Sequence, residues 1–405
     1  MPPATHQLVE FLLADEAQAA DAARLLSESA AWREALELAR AWKVTPQFSA
    51  RIQSLGCELP AADTKTLKRE FLKVYAQSAS RASKAIVAIA ALQKAKVAVV
   101  AFKGIASMAV LYRDPKRRTI GDADLLISRD DLTAALACLE ASGFTRRGAE
   151  TLEQYLQFVD HAPRFAGNKA IALYGEDGTE IDLHWEIAGS GLRVDRVLER
   201  ARTAPLMGSN VPVVDSKDGF LLTVHHAIRE DLGIENVCRD LLDAGLWCHH
   251  LRETGELEGA IARAVQCGRA VPALAVTSIL GNYDDRSTAA QAVKLLRAAT
   301  SAAEHKSAAL LTELFYYQMG NGPIGKDVLY LVHTRPWRQI VKGLGSDWSG
   351  YLQSMQSLEK QMNEEMPLHE RALQLAKSIP GLRTLRLARE LARVKYRESK
   401  GTGSA

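Results

Sequence analysis

Thr119-Ile120-Gly121-Asp122-Ala123-Asp124-Leu125-Leu126-Ile127 is the stretch from which the rest of the chain is read. It sets two carboxylates two residues apart at the mouth of an apolar run. On a β-strand such residues share a face, so Asp122 and Asp124 project together while Ala123 and Leu125 face the other way. Two carboxylates held that close repel unless a cation sits between them. Hard oxygen ligands of this kind suit Mg²⁺ with a phosphate as co-ligand. A solvent-facing Asp pair at a strand start is the plain alternative, and the flanking sequence has to decide.

Upstream, the texture changes at Lys96. Val97 to Phe102 is a short β-branched apolar run of strand length, followed at once by Lys103-Gly104 and by Ile105 to Tyr112, which suits a helix. A strand that turns into a helix through glycine leaves the first helical N–H groups free, and with a neighbouring Lys those groups bind phosphate readily. A simple β–α turn is the competing reading. The basic loop Arg113 to Arg118 lies between this turn and the carboxylate pair.

Downstream, Asp130 to Gly143 reads as a helix with Gly143 as its C-terminal cap. Strand-like pieces follow around Tyr155–Phe165 and Ala170–Tyr174. After the turn Glu176-Asp177-Gly178, the run Thr179 to Glu186 alternates: Glu180, Asp182 and His184 share one face, and Ile181, Leu183 and Trp185 the other. A third carboxylate is therefore available from a separate strand, with Glu180 as an alternative to Asp182. His184, and His161 in the preceding region, either touch a substrate or make structural hydrogen bonds. His225-His226 and His249-His250 form no convincing metal-ligand set, since adjacent residues on a helix do not face one way.

Outward from this centre the chain is helical. Gln7 to about Lys94 carries apolar residues at helical spacing, with a break at Pro60 and Asp63 and a long helix from Thr64 toward Lys94. After a helix at Val194–Ala201 and a strand at Val211–Val214, Lys217–Ile228 and Glu235–Leu251 read as helices. Amphipathic patterns continue to about Arg397, where Arg383, Arg386, Arg389 and Arg393 fall near one helical face ahead of a Gly/Ser tail. The fold expected is α+β, in three parts: an N-terminal helical region over 1–95, an α/β core over 96–215, and a C-terminal helical domain with a basic tail over 216–405.

The 405 residues are 47% hydrophobic and 24% charged, ordinary for a globular protein, and the net charge of +3 argues against a general nucleic-acid binder. Five scattered cysteines without a Cys-x-x-Cys pair argue against a disulfide framework or structural zinc and fit reduced thiols in a cytoplasm. No secretory signal is read at the N-terminus, and the most apolar window, Ala85 to Tyr112, is broken by lysines and is not expected to span a membrane.

Three separated motifs agree in order with a known family. Phe102-Lys103-Gly104, Tyr112-x-Asp114-Pro115-x-x-Arg118-x-x-Gly121-Asp122-x-Asp124-Leu125-Leu126 and Asp182-Leu183-His184-Trp185 resemble the bacterial uncharacterised nucleotidyltransferases, within the DNA polymerase β superfamily. Arg239-Asp240-Leu241-Leu242-Asp243 is a weaker echo. The resemblance implies a small mixed β-sheet nucleotidyltransferase core flanked by helical regions. It implies that Asp122, Asp124 and Asp182 are catalytic and hold Mg²⁺, two ions in the two-metal scheme. It further implies that Lys103 and Gly104 stand where the superfamily uses a Gly-Ser turn to hold a nucleoside triphosphate, ATP by default. Lys-Gly departs from that pattern, and Ser107 could supply the hydroxyl; Arg118 would neutralise phosphate charge. The acceptor would be a small molecule, peptide or protein. A catalytically silent, partner-binding relative and an RNA-directed transferase are the alternatives.

Overall fold

The strand-forming runs assemble into one mixed sheet, in a computed structural model that describes residues 3–28, 31–147, 151–153, 155–156, 170–187, 189–229, 234–284 and 287–321. In chain order the strands are β1 (Val99–Ala101), β2 (Ala123–Ile127), β3 (Thr145–Arg146), β4 (Ala170–Tyr174), β5 (Glu180–His184), β6 (Arg202–Leu206) and β7 (Ser209–Val213). Their order across the sheet is β3-β4-β5-β2-β1-β7-β6. The Asp-bearing strand β2 is central, antiparallel to β1 on one side and parallel to β5 on the other. Every residue of β1 and β2 is buried. Strands covered on both faces read as continuous apolar runs, which is how this pair appears in the sequence.

The helices preceding the sheet are α1 (Pro3–Leu13), α2 (Glu16–Glu28), α3 (Trp32–Ala41), α4 (Thr45–Ser54) and α5 (Ala61–Lys94). At 1.5 Å per residue α5 is about 51 Å long. Its C-terminal half lays Ala82, Ala85, Ala88, Ile89 and Leu92 on the sheet. Within and after the sheet come α6 (Lys103–Ser107), which runs directly into a π-helical turn at Met108–Tyr112, then α7 (Leu132–Ala141), α8 (Val194–Glu199), α9 (Ser216–Arg229), α10 (Ile234–Glu253), α11 (Leu257–Gln266), α12 (Ala270–Tyr283), α13 (Thr288–Ala299) and α14 (Ala302–Asn321). Gly143 closes α7 with φ 87°, and the Phe144 N–H donates to the Leu139 carbonyl at 3.0 Å, a Schellman-type end.

The apolar residues divide into two cores. One lies around the sheet. The other joins the N-terminal helices to the helices after the sheet: Phe11, Trp32 and Phe48 pack in the same cluster as Phe220, Trp247 and Ile279. The Phe11 ring meets those of Trp32 and Phe48 edge-on, with centroids 5.8 and 5.6 Å apart. The helices from the two ends of the described chain thus cover one another, with α5 leading from that core to the sheet.

Several local expectations change. Tyr155 and Leu156, expected in a strand, have helical backbone, and 157–165 lie outside the described residues. The sequence reading ends a helix at Ala201 and sees no strand before Val211; instead β6 follows, paired to β7 through Met207 and Gly208, both at positive φ. That turn type matches the right-handed twist of a hairpin. Arg202, Thr203 and Pro205 are exposed on this edge strand, so it lacks the continuous apolar run that marks β1 and β2. Met108 to Tyr112, expected as α-helix, is π-helical. The arginine-rich segment near residue 390 lies outside the described residues. All five cysteines are free thiols, and among the described residues no helix is long and apolar enough to cross a membrane.

Candidate functional site

The parallel register of β2 and β5 sets Asp124 beside Asp182 and Leu126 beside His184. Asp182 and His184, two apart on β5, share a face, and that face meets Asp124. The Nε2 of His184 lies 3.0 Å from Oδ1 of Asp124, and the Nζ of Lys103 lies 2.6 Å from the same oxygen. Asp124, Asp182 and His184 each bring a ligating atom to within 4.8 Å of the others. Asp122 stands just before β2, half-buried and outside that set of three, yet it acts electrostatically on Lys103, Asp182 and His184.

The charges at this spot are unequal in their compensation. Burial alone would raise the Asp124 pKa, but Lys103 in contact and the His184 hydrogen bond hold it well below the ordinary carboxylate range. Asp182 makes no ion pair among the described residues. Its burial, with Asp124, Asp122 and Glu180 as like charges nearby, pushes its pKa up to about 7. Burial, with Asp124 pulling the other way, holds His184 below its ordinary value, so the imidazole is neutral at pH 7 and donates from Nε2 to the ionised Asp124. Lys103 is held above its ordinary value because Asp124, then Asp122 and Asp182, outweigh its desolvation. An uncompensated carboxylate beside a compensated one, with an imidazole within one ion's span, is a donor set that fits a divalent cation.

Lys103 reaches Asp124 because of how β1 ends. The Phe102 N–H donates to the Asp124 carbonyl at 3.2 Å, carrying the β1–β2 pairing to the edge of the site. Lys103 then turns into α6 at φ 46°, in the left-handed region, which costs a non-glycine residue about 1 kcal/mol. The ion pair with Asp124 offsets that cost. Gly104 follows because there is no room for a side chain: a Cβ here would stand 2.9 Å from Nη1 of Arg118 and 3.3 Å from Cδ1 of Ile120. Ile120 is itself held on α5, where the Ser78 hydroxyl accepts its N–H at 3.1 Å and Arg81 donates to its carbonyl at 2.5 Å.

Two residues expected at the phosphates from sequence, Arg118 and Ser107, are buried. Arg118, 3% exposed, donates from Nε and Nη2 to the carboxylate of Asp243 on α10, at 2.9 and 2.7 Å to Oδ2. The Tyr112 hydroxyl donates to Asp243 at 2.8 Å as well. One carboxylate therefore ties both ends of the 113–117 loop to the helical region, and Arg118 braces the Gly104 turn from behind. Ser107 is 1% exposed, and its buried hydroxyl makes no hydrogen bond among the described residues. Asp243 was not singled out as a site residue by sequence reasoning; its signal was the Asp240/Asp243 spacing, which places two acids on one helical face. Asp240 meets His226 at 2.7 Å. Glu180 accepts a hydrogen bond from the Tyr174 hydroxyl at 3.2 Å, on the far side of Asp182. His161 lies outside the described residues.

A cavity of about 450 Å³ opens at the other end of the α6–π segment, lined by Arg113, Arg117, Leu246 and His250 among others. Its nearest lining residue on that segment, Val110, is seven residues from Lys103, about 10 Å along the axis, and no residue of the carboxylate cluster lines it.

Comparison with curated proteins gives no match. Among solved structures, an antigenic nucleotidyltransferase-like protein from Paracoccidioides brasiliensis is 19% identical over 47% of this chain and 88% of its own, with a TM-score of 0.28, a likeness too slight to bear on the site. The sequence model of a family described as uncharacterised nucleotidyltransferase matches residues 28–283. That match takes in the whole sheet, the turn at Lys103 and both carboxylate-bearing strands, and the chain belongs to the uncharacterised nucleotidyltransferase family.

Proposed function

We propose that this protein is a metal-dependent nucleotidyltransferase that moves a nucleoside monophosphate, AMP from ATP by default, onto a hydroxyl, amine or phosphate of a small molecule, peptide or protein. The observation that carries the reading is Asp182 set against Asp124, with His184 and Lys103 on the same carboxylate oxygen cluster. In the reaction a bond forms between the acceptor atom and the α-phosphorus. The bond from that phosphorus to the bridging oxygen breaks, and its electron pair leaves with pyrophosphate. Asp124 and Asp182, with Asp122 close by, would hold a divalent cation, which would supply charge neutralisation and acidification of the acceptor.

The chain's own groups do the rest. Asp182, which makes no ion pair among the described residues, is the carboxylate proposed to take the acceptor proton. Lys103 is the cation nearest the cluster, and its ammonium can turn from Asp124 to the β- and γ-phosphates. The first N–H groups of α6 have no partner within the helix, and such groups favour phosphate oxygens. Arg118 keeps the turn in place from behind and contributes no phosphate contact. Calorimetry with a non-hydrolysable ATP analogue tests the reading: binding should require a divalent cation and weaken at least tenfold in Lys103→Ala. Metal-independent binding unaffected by that change would overturn it.

A further inference from the structure

We infer that His184 is a metal ligand and that it makes this cluster a Mn²⁺ site in preference to Mg²⁺. The inference rests on the metal-dependent reading above. Metal sites built only of carboxylates, carbonyls and water suit Mg²⁺, which also keeps several waters and demands tight octahedral geometry. The three donors that converge here are two carboxylates and one imidazole. Mn²⁺ accepts the same oxygens as Mg²⁺, and as a first-row transition ion, though the weakest binder of that series, it takes an imidazole nitrogen beside them more readily than Mg²⁺ does. Zn²⁺ would take the same donors, but its usual four-coordination leaves less room for phosphate oxygens.

His184 is built for that role rather than left there by chance. It is 3% exposed, and its ring stands edge-on to Phe102 with centroids 4.9 Å apart, so Nε2 is aimed at Asp124 with little freedom. A neutral imidazole needs only to carry its proton on Nδ1 for the Nε2 lone pair to face a cation, with no net proton release. Lys103 holds the cation's place in the metal-free protein. Its Nζ touches the Asp124 oxygen, and its side chain is 24% exposed. Mn²⁺ and the Lys103 ammonium therefore compete for Asp124, so Lys103→Gln should bind Mn²⁺ more tightly than the wild type.

The test is electron paramagnetic resonance of the full-length protein titrated with Mn²⁺, with Mg²⁺ as competitor and echo-envelope detection of ¹⁴N coupling. Mn²⁺ should bind at least tenfold more tightly than Mg²⁺ and show an imidazole nitrogen. His184→Gln, which can still donate to Asp124, should lose the nitrogen signal and the tenfold gap with its circular dichroism unchanged. Bound Mn²⁺ without nitrogen coupling in the wild type, equal affinities for the two ions, or no Mn²⁺ binding would overturn the inference. Pyrophosphate release sustained equally by Mg²⁺ would leave the transferase reading standing while removing the preference. Nitrogen-coupled Mn²⁺ without nucleotide turnover would do the reverse.

Discussion

Replacing Asp182 by Asn should stabilise the metal-free protein at neutral pH while removing its capacity to bind metal. Asp182 has an ordinary pKa of 3.8 and a folded-state pKa of about 7. A carboxylate whose pKa is raised on folding holds its proton more tightly in the folded state. It opposes folding once the unfolded chain ionises, with a penalty that grows as pH rises from about 4 to 7 and is then constant. The displacement corresponds to about 4 kcal/mol at most, and relaxation of the half-buried site reduces it. Asp182→Asn keeps the shape and removes the charge. Urea unfolding in chelator should therefore show wild type and variant alike near pH 4, and the variant more stable by about 2–4 kcal/mol at pH 8. Adding Mn²⁺ or Mg²⁺ should raise the midpoint of the wild type alone, by mass action on the folded state. A variant less stable than wild type at pH 8, or a difference independent of pH, would refute the reasoning that Asp182 is an uncompensated charge awaiting a cation.

Other consequences follow from the same contacts. Asp243→Ala strands the Arg118 guanidinium without its partner in a buried place, and should cost about 3–5 kcal/mol in chemical unfolding; a loss under 1 kcal/mol would show that the pair does not brace the 113–117 loop. Gly104→Ala drives a methyl group to 2.9 Å from the Arg118 guanidinium and should cost about 1–3 kcal/mol, with weaker nucleotide binding by calorimetry. Metal affinity should fall about tenfold per pH unit below the Asp182 pKa, because the ion must displace a proton that a metal-free Asp182 retains there. A titration that is flat between pH 5 and 7 would contradict it.

What could be read from the sequence follows the range of the interactions involved. Asp122, Asp124 and Asp182 could be assigned to strand faces from sequence because each sits in or beside a short strand, where residues two apart share a face. The pairing of those strands could not be read from it. That Asp124 meets Asp182 and His184, leaving Asp122 to one side, depends on a parallel register set by packing between segments about sixty residues apart. Phase was readable and register was not, so His184 was recognised as facing the site without its place beside Asp124 being seen. Arg118 shows the same limit more sharply. A basic residue between a phosphate-type turn and a carboxylate pair looks like a phosphate ligand, yet its partner, Asp243, lies 125 residues further along the chain. Gly104 was noticed for its freedom to turn, whereas the structure uses its lack of a Cβ. Lys103 needed both views. The residue type marked it as a phosphate ligand, and only the fold shows its ammonium on the Asp124 carboxylate.

The most direct test of nucleotidyl transfer is to follow an α-labelled nucleoside triphosphate in the presence of divalent cation, with cell extract as the source of acceptor. Wild type should move the α-label onto an acceptor and release one pyrophosphate for each transfer, and Asp124→Asn should lower that rate by at least a thousandfold. Release of single phosphate in place of pyrophosphate, or transfer undiminished in Asp124→Asn, would contradict the account.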